Sequence, residues 1–142
     1  MDQSTLSVGD VMTRDVVTVN WNEKLLHADD VMRLGRIRHL PAVNEDGELV
    51  GILTQRDLFH NGVIKALGYG TNATRKALDM LVVKEAMTSE VLTTTPETPL
   101  RAAAELMLHR KIGCLPVVQA GRLVGILTES DFVALVVKQG PK

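Results

Sequence analysis

A duplication constrains this chain more than any other feature of its sequence. Residues 47–58 read GELVGILTQRDL, and residues 121–132 read GRLVGILTESDF. Eight of the twelve positions are identical, a match that chance does not produce within one short protein. Each copy contains a turn glycine, a run of aliphatic residues, and a threonine followed three residues later by an aspartate. The sequence therefore predicts a fold built from two similar units.

The duplication extends towards the N-terminus of each copy. Residues 12–43 share eleven identities with the residues 75 positions further on. In each copy the pattern predicts a unit of strand, helix, strand, strand and helix. The first strand is expected at Val16–Val19 and, in the second copy, at Val91–Thr94, because both stretches are short and rich in β-branched residues.

The first helix of the unit is predicted from apolar residues at helical spacing, beginning at Leu25. Asn20 or Asn22 is expected to cap this helix, and Gly35 is expected to end it. Leu40–Val43 predicts a buried strand, followed by hairpin-turn residues and a return strand. A second helix is expected from Thr54 to about Leu67.

Composition limits the classes of function. The chain has 142 residues, 16 basic and 17 acidic, so it carries no positive field that would hold nucleic acid. A single cysteine favours a reducing compartment. The first residues do not resemble a signal peptide, and no apolar stretch approaches the ~20 residues that span a bilayer. We therefore expect a cytoplasmic protein that binds neither nucleic acid nor membrane.

With these features the chain resembles a tandem pair of cystathionine β-synthase (CBS) domains, known as a Bateman module. The resemblance is carried by LPAV…GELVGILTQRDL and LPVV…GRLVGILTESDF, and by the preceding DVMTRDVVTV and EAMTSEVLTT. It implies an α+β fold in which two β-α-β-β-α CBS repeats pack sheet to sheet about a pseudo-two-fold axis. We expect residues 1–142 to form a single CBS-pair module, with repeats at 7–67 and 84–139 and a linker at 68–83, and no attached catalytic or transport domain.

The resemblance also implies a function. CBS pairs are regulatory modules that bind adenosine-containing ligands (AMP, ADP, ATP, or in some members S-adenosylmethionine) in clefts between the two repeats. We expect such a ligand here, with no catalytic cofactor and no enzymatic activity. Freestanding pairs of this family usually form homodimers and signal in trans, so we expect a homodimer and a target protein that the sequence does not identify.

Carried over position by position, the resemblance implies two sets of ligand-binding residues. The first cleft would use Arg38, His39, Ile52, Thr54, Arg56, Asp57, Val91 and Leu92. The second cleft would use Val16, Val17, Gly113, Cys114, Ile126, Thr128, Ser130 and Asp131. In each set the aspartate would hold the ribose hydroxyls, the threonine would contact ribose or phosphate, and the aliphatic residues would pack on adenine. The residues just before the Leu-Pro step would face phosphate.

The chemistry of the residues agrees with these roles. A carboxylate accepts hydrogen bonds from a vicinal diol through both oxygens. A helix N-terminus offers free backbone N–H groups to phosphate. If one cleft binds a charged phosphate tail, we expect it to be the cleft of Asp57, because Arg38, His39 and Arg56 are replaced by Gly113, Cys114 and Ser130 in the second copy.

Simpler interpretations stand beside this one. Thr-x-x-Asp is also close to a capping box, in which the two side chains satisfy only the helix's own N–H groups. The alternative function is a ligand-independent dimerisation or interaction module with vestigial clefts. The four histidines have no spacing that indicates a metal site, so none is expected.

Overall fold

The computed structural model of the chain describes residues 5–60 and 70–139, and it mixes helices with short strands, as the α+β class requires. The elements in chain order are α1 (Val8–Val11), β1 (Val19–Asn20), α2 (Leu25–Gly35), β2 (His39–Val43), β3 (Leu49–Thr54), α3 (Gln55–Leu58), α4 (Gly70–Asp79), α5 (Val83–Ala86), α6 (Leu100–Arg110), β4 (Cys114–Gln119), β5 (Arg122–Thr128) and α7 (Glu129–Gln139). The second helix of the first repeat was predicted to reach Leu67, and residues 61–67 lie outside the described residues.

Each repeat contains the predicted hairpin of two antiparallel strands. In the first, Pro41 of β2 lies opposite Ile52 of β3; in the second, Pro116 of β4 lies opposite Ile126 of β5. The turn between β2 and β3 is the predicted one, with Gly47 at a φ of 80°, a left-handed conformation that glycine adopts without strain.

The first strand of each unit is shorter than predicted. β1 covers only Val19–Asn20 and runs parallel to the end of β2. Its counterpart in the second repeat is a single parallel bridge between Thr94 and Val117. Of the predicted strand Val16–Val19, only Val19 lies in a strand.

The caps of α2 also differ from the prediction. Its N-cap residue is Lys24, with no side-chain capping bond, and the N–H of Leu25 instead donates to the carbonyl of Leu81 at 2.8 Å. The helix ends at Gly35 as expected, but the left-handed residue is Arg36, with a φ of 54°. The carbonyl of Leu81, distant in the sequence, therefore accepts from an N–H at the start of α2, the role that was predicted for Asn20 or Asn22.

The chain divides into two compact units. One is the continuous stretch Val17–Val91, which we call the Asp57 unit. The other, which we call the Asp131 unit, combines Met1–Val16 with Leu92–Lys142. Each has its own apolar core: the first includes Leu25, Leu40 and Leu53, and the second includes Leu115 and Leu127.

The N-terminal segment completes the Asp131 unit. Thr13 and Ile126 exchange two backbone hydrogen bonds of 2.9 Å, and the N–H of Leu100, the first residue of α6, donates to the carbonyl of Leu6 at 2.9 Å. The side chain of Val8 is fully buried in the core of this unit. Residues at the start of the first sequence repeat therefore belong to the compact unit of the second.

Residues 81–88 have the same role in the Asp57 unit. Thr88 and Ile52 exchange two backbone hydrogen bonds of 2.9 Å, which match those of Thr13 and Ile126. Val83 is fully buried in the core with Leu25. The two units are thus completed in equivalent ways, by segments that carry the repeated Met-Thr sequence.

Helix α4 lies within the predicted linker, and it packs on the Asp57 unit. Its Leu78 belongs to the core of that unit, and the Lys24 Nζ donates to the carbonyl of Asp79 at 2.8 Å. Arg75 lies 3.7 Å from the carboxylate of Asp30 on α2.

Candidate functional site

The first copy of the Thr-x-x-Asp sequence lies at the junction of β3 and α3, with Thr54 as the last residue of β3 and Asp57 in α3. Thr54 N–H donates to Asp57 Oδ2 at 2.9 Å, and Thr54 Oγ1 donates to the same oxygen at 3.1 Å. In return, the Asp57 N–H donates to Thr54 Oγ1 at 3.2 Å. This reciprocal pattern is a capping box, and it holds the Asp57 carboxylate in one orientation at the start of the helix.

The second copy repeats the two hydrogen bonds that the threonine donates to the aspartate. Thr128 N–H donates to Asp131 Oδ2 at 2.8 Å, and Thr128 Oγ1 donates to it at 3.3 Å. The other carboxylate oxygen, Oδ1, accepts a hydrogen bond from Thr13 Oγ1 at 2.8 Å. Thr13 was not among the predicted site residues, although the repeated Met-Thr at 12–13 and 87–88 was a signal that could have pointed to it.

Capping geometry alone does not identify a ligand site, because it also occurs elsewhere in this chain. At the start of α1, the Ser7 N–H donates to Asp10 Oδ2 at 2.9 Å and Ser7 Oγ donates to it at 3.1 Å, the same two distances found for Thr54 and Asp57. The hydrogen bonds from Ser7 lower the pKa of Asp10 below its ordinary 3.8. Asp10 is therefore a structural counterpart of Asp57 without a predicted ligand role.

The two isoleucines of the predicted site are buried in their strands. Ile52 and Ile126 occupy the residue two positions before each threonine, and both are nearly inaccessible in the structure. The strand alternation places the isoleucine and the threonine of each copy on the same face of the hairpin.

The predicted phosphate-facing residues differ in exposure as well as in chemistry. Arg38, Arg56 and Ser130 are exposed, and His39 is half-buried. Cys114, which replaces His39 in the second copy, is buried in β4, and burial raises the pKa of its thiol from 9.0 to about 12. The first copy thus presents two arginines and a histidine where the second presents a glycine, a serine and a buried neutral thiol.

The remaining predicted residues lie where the chain passes from one compact unit to the other. Val16 belongs to the Asp131 unit and Val17 to the Asp57 unit, while Val91 belongs to the Asp57 unit and Leu92 to the Asp131 unit. Val91 and Leu92, predicted together for the first cleft, therefore belong to different units, and so do Val16 and Val17, predicted together for the second.

A groove between α6 and α7 is a separate feature of the Asp131 unit. It has a volume of about 620 Å³ and is lined mainly by Met107, Leu108, Phe132 and Val133, with Lys111 and Glu129 beside them. Gly113 also lines this groove, and its carbonyl accepts a hydrogen bond from the N–H of Glu129 at 3.2 Å. Asp131 is not one of the lining residues. Gly113 therefore lies beside an apolar surface and next to the first residue of α7.

Within residues 5–60 and 70–139, no three His, Cys, Asp or Glu side chains are grouped so that they could hold a metal ion. No helix in that part of the chain combines the length and the apolar composition needed to cross a membrane.

Two regions of the sequence match a known domain family. The profile of the CBS domain matches the sequence twice, at residues 8–63 and 83–138. The chain belongs to the CBS domain family. These two matches account for most of its length.

Among curated proteins, this CBS pair is 38% identical to a homoserine O-acetyltransferase of Methanococcoides burtonii over 92% of its own length but only 24% of that protein. It is 32% identical to the CBS domain-containing protein YhcV of Bacillus subtilis, over 89% of this chain and 82% of YhcV. The chain spans between 24% and 62% of the length of five archaeal relatives, three of which are homoserine O-acetyltransferases. What it shares with the enzymes among them is the CBS region.

Solved structures show the same fold. The chain superposes with a TM-score of 0.78 on a putative acetoin utilization protein (AcuB) of Vibrio cholerae, at 35% identity over 94% of this chain and 92% of that one. The structure of CBSX2 in complex with AMP gives 0.78 at 28% identity, over 94% and 98%. The CBS domain pair of protein MJ0100, in complex with 5′-methylthioadenosine and S-adenosyl-L-methionine, gives 0.74 at 30% identity, over 94% and 98%.

Proposed function

We propose that this CBS pair is a regulatory module that binds an adenosine-containing ligand at Asp57, at Asp131, or at both, and that it signals in trans to a partner protein. The observation that carries the proposal is the duplicated carboxylate, held in a fixed orientation at a helix start beside a buried isoleucine, in a fold whose relatives hold AMP or S-adenosyl-L-methionine. A carboxylate in this position accepts hydrogen bonds from ribose hydroxyls, and the aliphatic strand residues supply a surface for adenine.

The two sites are proposed to differ in ligand preference. Arg38 and Arg56 are exposed cations in the unit that contains Asp57, whereas Gly113 and Ser130 stand at the matching positions near Asp131. Arginine recognises phosphate through its planar donors. The Asp57 site would therefore favour ligands with charged phosphate tails, and the Asp131 site would favour ligands with fewer phosphates or an uncharged tail.

The test is isothermal titration calorimetry with ATP, AMP and adenosine on Asp57→Asn and Asp131→Asn variants. Asparagine keeps one oxygen to accept from the threonine N–H, so the cap is largely preserved, while the paired acceptors for a diol are lost. Asp57→Asn should weaken ATP binding by roughly tenfold or more, the loss expected for hydrogen bonds to a charged group. Asp131→Asn should affect adenosine more than ATP.

Asp10→Asn is the matched control, because Asp10 makes the same capping contacts at the same distances. It should leave all three affinities unchanged. If Asp10→Asn weakens binding as much as Asp57→Asn, the carboxylates act only on helix stability. If the unmodified protein binds none of the three compounds, the sensor function is wrong.

A second candidate function is a ligand-independent interaction module, and one observation favours it. Leu108 on α6 is 80% exposed and Val133 on α7 is 64% exposed, and both line the groove between these helices. Exposed apolar side chains grouped on one surface are typical of protein–protein contacts. This surface is our candidate for the homodimer contact in either function.

The dimer contact is tested with a Leu108→Glu, Val133→Glu double variant and light scattering of the eluted protein. The double variant should be monomeric at concentrations where the unmodified chain is dimeric, because each glutamate would be buried without a partner. Leu34→Glu, at a leucine of α2 that is 87% exposed, should remain dimeric. A dimer that survives the double variant would place the contact elsewhere.

A further inference from the structure

The carboxylate of Asp131 is held from two directions. Its Oδ2 accepts from the N–H and the hydroxyl of Thr128, three residues away. Its Oδ1 accepts from the hydroxyl of Thr13 at 2.8 Å, across 118 residues of sequence. One oxygen therefore serves the local cap, while the other holds a side chain from the N-terminal segment.

The hydroxyl of Thr13 is presented to Asp131 by a fixed backbone. The Thr13 N–H donates to the carbonyl of Ile126, and the Ile126 N–H donates to the carbonyl of Thr13, each at 2.9 Å. The adjacent Gly125 has no side chain, which allows residues 12 and 13 to lie directly against β5. The contact between Thr13 and Asp131 is thus part of the packing of the N-terminal segment.

The number of acceptor positions limits what else Asp131 can bind. Each carboxylate oxygen has two lone pairs. Those of Oδ2 are both used by Thr128, and one of the two on Oδ1 is used by Thr13. A vicinal diol that donates from both hydroxyls needs two acceptor positions, and this arrangement leaves one.

We propose that the Thr13 hydroxyl occupies half of the diol-binding position of Asp131, and that a ligand with an intact ribose diol must displace it. This inference rests on the proposed function of the same site. Thr13 then lowers the affinity of the site for ribose ligands relative to ligands that donate one hydroxyl. It also couples occupancy of the site to the N-terminal segment, because displacing the hydroxyl removes the side-chain contact that this segment makes with Asp131.

The test compares AMP with 2′-deoxy-AMP by calorimetry on the full chain. All measurements are made in the Asp57→Asn background, so that the heat reports the Asp131 site. Thr13→Val removes the hydroxyl but keeps the shape of the side chain. It should tighten AMP binding by roughly three- to tenfold, the range of one net hydrogen bond, and change 2′-deoxy-AMP binding by less than about twofold.

Two control variants separate this effect from a change in folding. Thr13→Ser retains the hydroxyl and should bind both ligands as the Asp57→Asn parent does. Thr88→Val alters the equivalent threonine of the Asp57 unit and should leave both affinities at the Asp131 site unchanged. Thermal unfolding of each variant reports any loss of stability independently of the ligands.

Failure of the displacement by Thr13 can be told apart from failure of ligand binding at Asp131. Weaker AMP binding by Thr13→Val, or an equal change for AMP and 2′-deoxy-AMP, would overturn the proposed displacement and leave the ligand site standing. If the Asp57→Asn parent and the Thr13 variants all fail to bind either nucleotide, the Asp131 site itself is wrong and this inference falls with it.

Discussion

Gly125 lies so close to Met12 that a Cβ at position 125 would stand 2.6 Å from the Sδ atom of Met12. It would also stand 3.0 Å from the backbone carbonyl oxygen of Thr13. The equivalent glycine, Gly51, would place a Cβ 2.5 Å from Met87 Sδ and 2.9 Å from the carbonyl oxygen of Thr88. The glycine of each VGILT sequence is therefore required for the approach of a Met-Thr segment.

Substituting this glycine should destabilise the fold. Gly125→Ala is expected to cost about 1–3 kcal/mol of unfolding free energy, because the methionine can turn away but the Thr13 carbonyl belongs to the backbone. Urea denaturation followed by circular dichroism measures the change in midpoint. Gly121→Ala is the comparison: it has open space around it and a φ of +80°, so its cost should be only about 1 kcal/mol. An unchanged midpoint for Gly125→Ala would contradict the close approach.

Leu78 should behave as a core residue although it lies in the segment that joins the two repeats. Its side chain is 4% exposed and packs in the core of the Asp57 unit. Leu78→Ala is expected to lower the unfolding free energy by about 2–5 kcal/mol, as for other buried leucines. The neighbouring Met80 is 81% exposed, so Met80→Ala should change it by less than about 0.5 kcal/mol. Equal effects in thermal unfolding would show that α4 is only a spacer.

Trp21, the only tryptophan, should report the protonation of Glu45. The indole Nε1 donates to Glu45 Oε2 at 3.2 Å. A hydrogen bond from its own backbone, followed by that from Trp21, lowers the pKa of Glu45 below its ordinary 4.5. Tryptophan emission should therefore shift at a pH below 4.5, where the carboxylate gains a proton and the indole loses its charged acceptor.

The control is the Glu45→Gln variant, which has no carboxylate at this position. Its tryptophan emission should show no shift at this pH. The lowered pKa also fixes the sign of the stability effect: the contribution of Glu45 is present above pH 4.5 and is lost as the pH falls through the lower value reached in the folded protein. An emission change that persists in Glu45→Gln would assign the transition to another group.

Cys114 should react slowly with thiol reagents while the protein is folded. Burial raises the pKa of its thiol to about 12, so almost none of it is thiolate at neutral pH. Because the pKa is higher in the folded protein than the ordinary 9.0, stability is unaffected below pH 9 and falls between pH 9 and 12 by about 1.4 kcal/mol for each pH unit. Urea denaturation across this range should show the slope in the unmodified chain and not in Cys114→Ala. Rapid modification by iodoacetamide at pH 7 would contradict the burial.

The sequence predicted the elements whose causes are local. The hairpins follow from apolar strands on either side of turn residues such as Gly47, and α2 follows from the spacing of Leu25, Ala28 and Met32, all of which are buried. The capping geometry of Thr54 and Asp57 was also foreseen as one of two roles. In each case neighbouring residues in the chain supply the interaction.

The failures concern interactions between residues far apart in the chain. No local pattern shows that the Leu81 carbonyl accepts from the first N–H of α2, or that Leu6 does the same for α6. The hydrogen bond between Thr13 and Asp131 was missed for the same reason. Duplication showed that two units exist, but only the coordinates show which segment completes which unit.

The compact units of the structure do not coincide with the sequence repeats, because the segment at the start of each repeat completes the other unit. A fragment of residues 17–91 would carry its whole compact unit on one continuous stretch of chain. A fragment that begins at residue 84 would contain the second sequence repeat intact, yet it would lack the Leu6 carbonyl that receives the N–H of Leu100 and the strand-like pairing of Thr13 with Ile126. A fragment cut at the repeat boundary therefore lacks the N-terminal segment that completes the Asp131 unit.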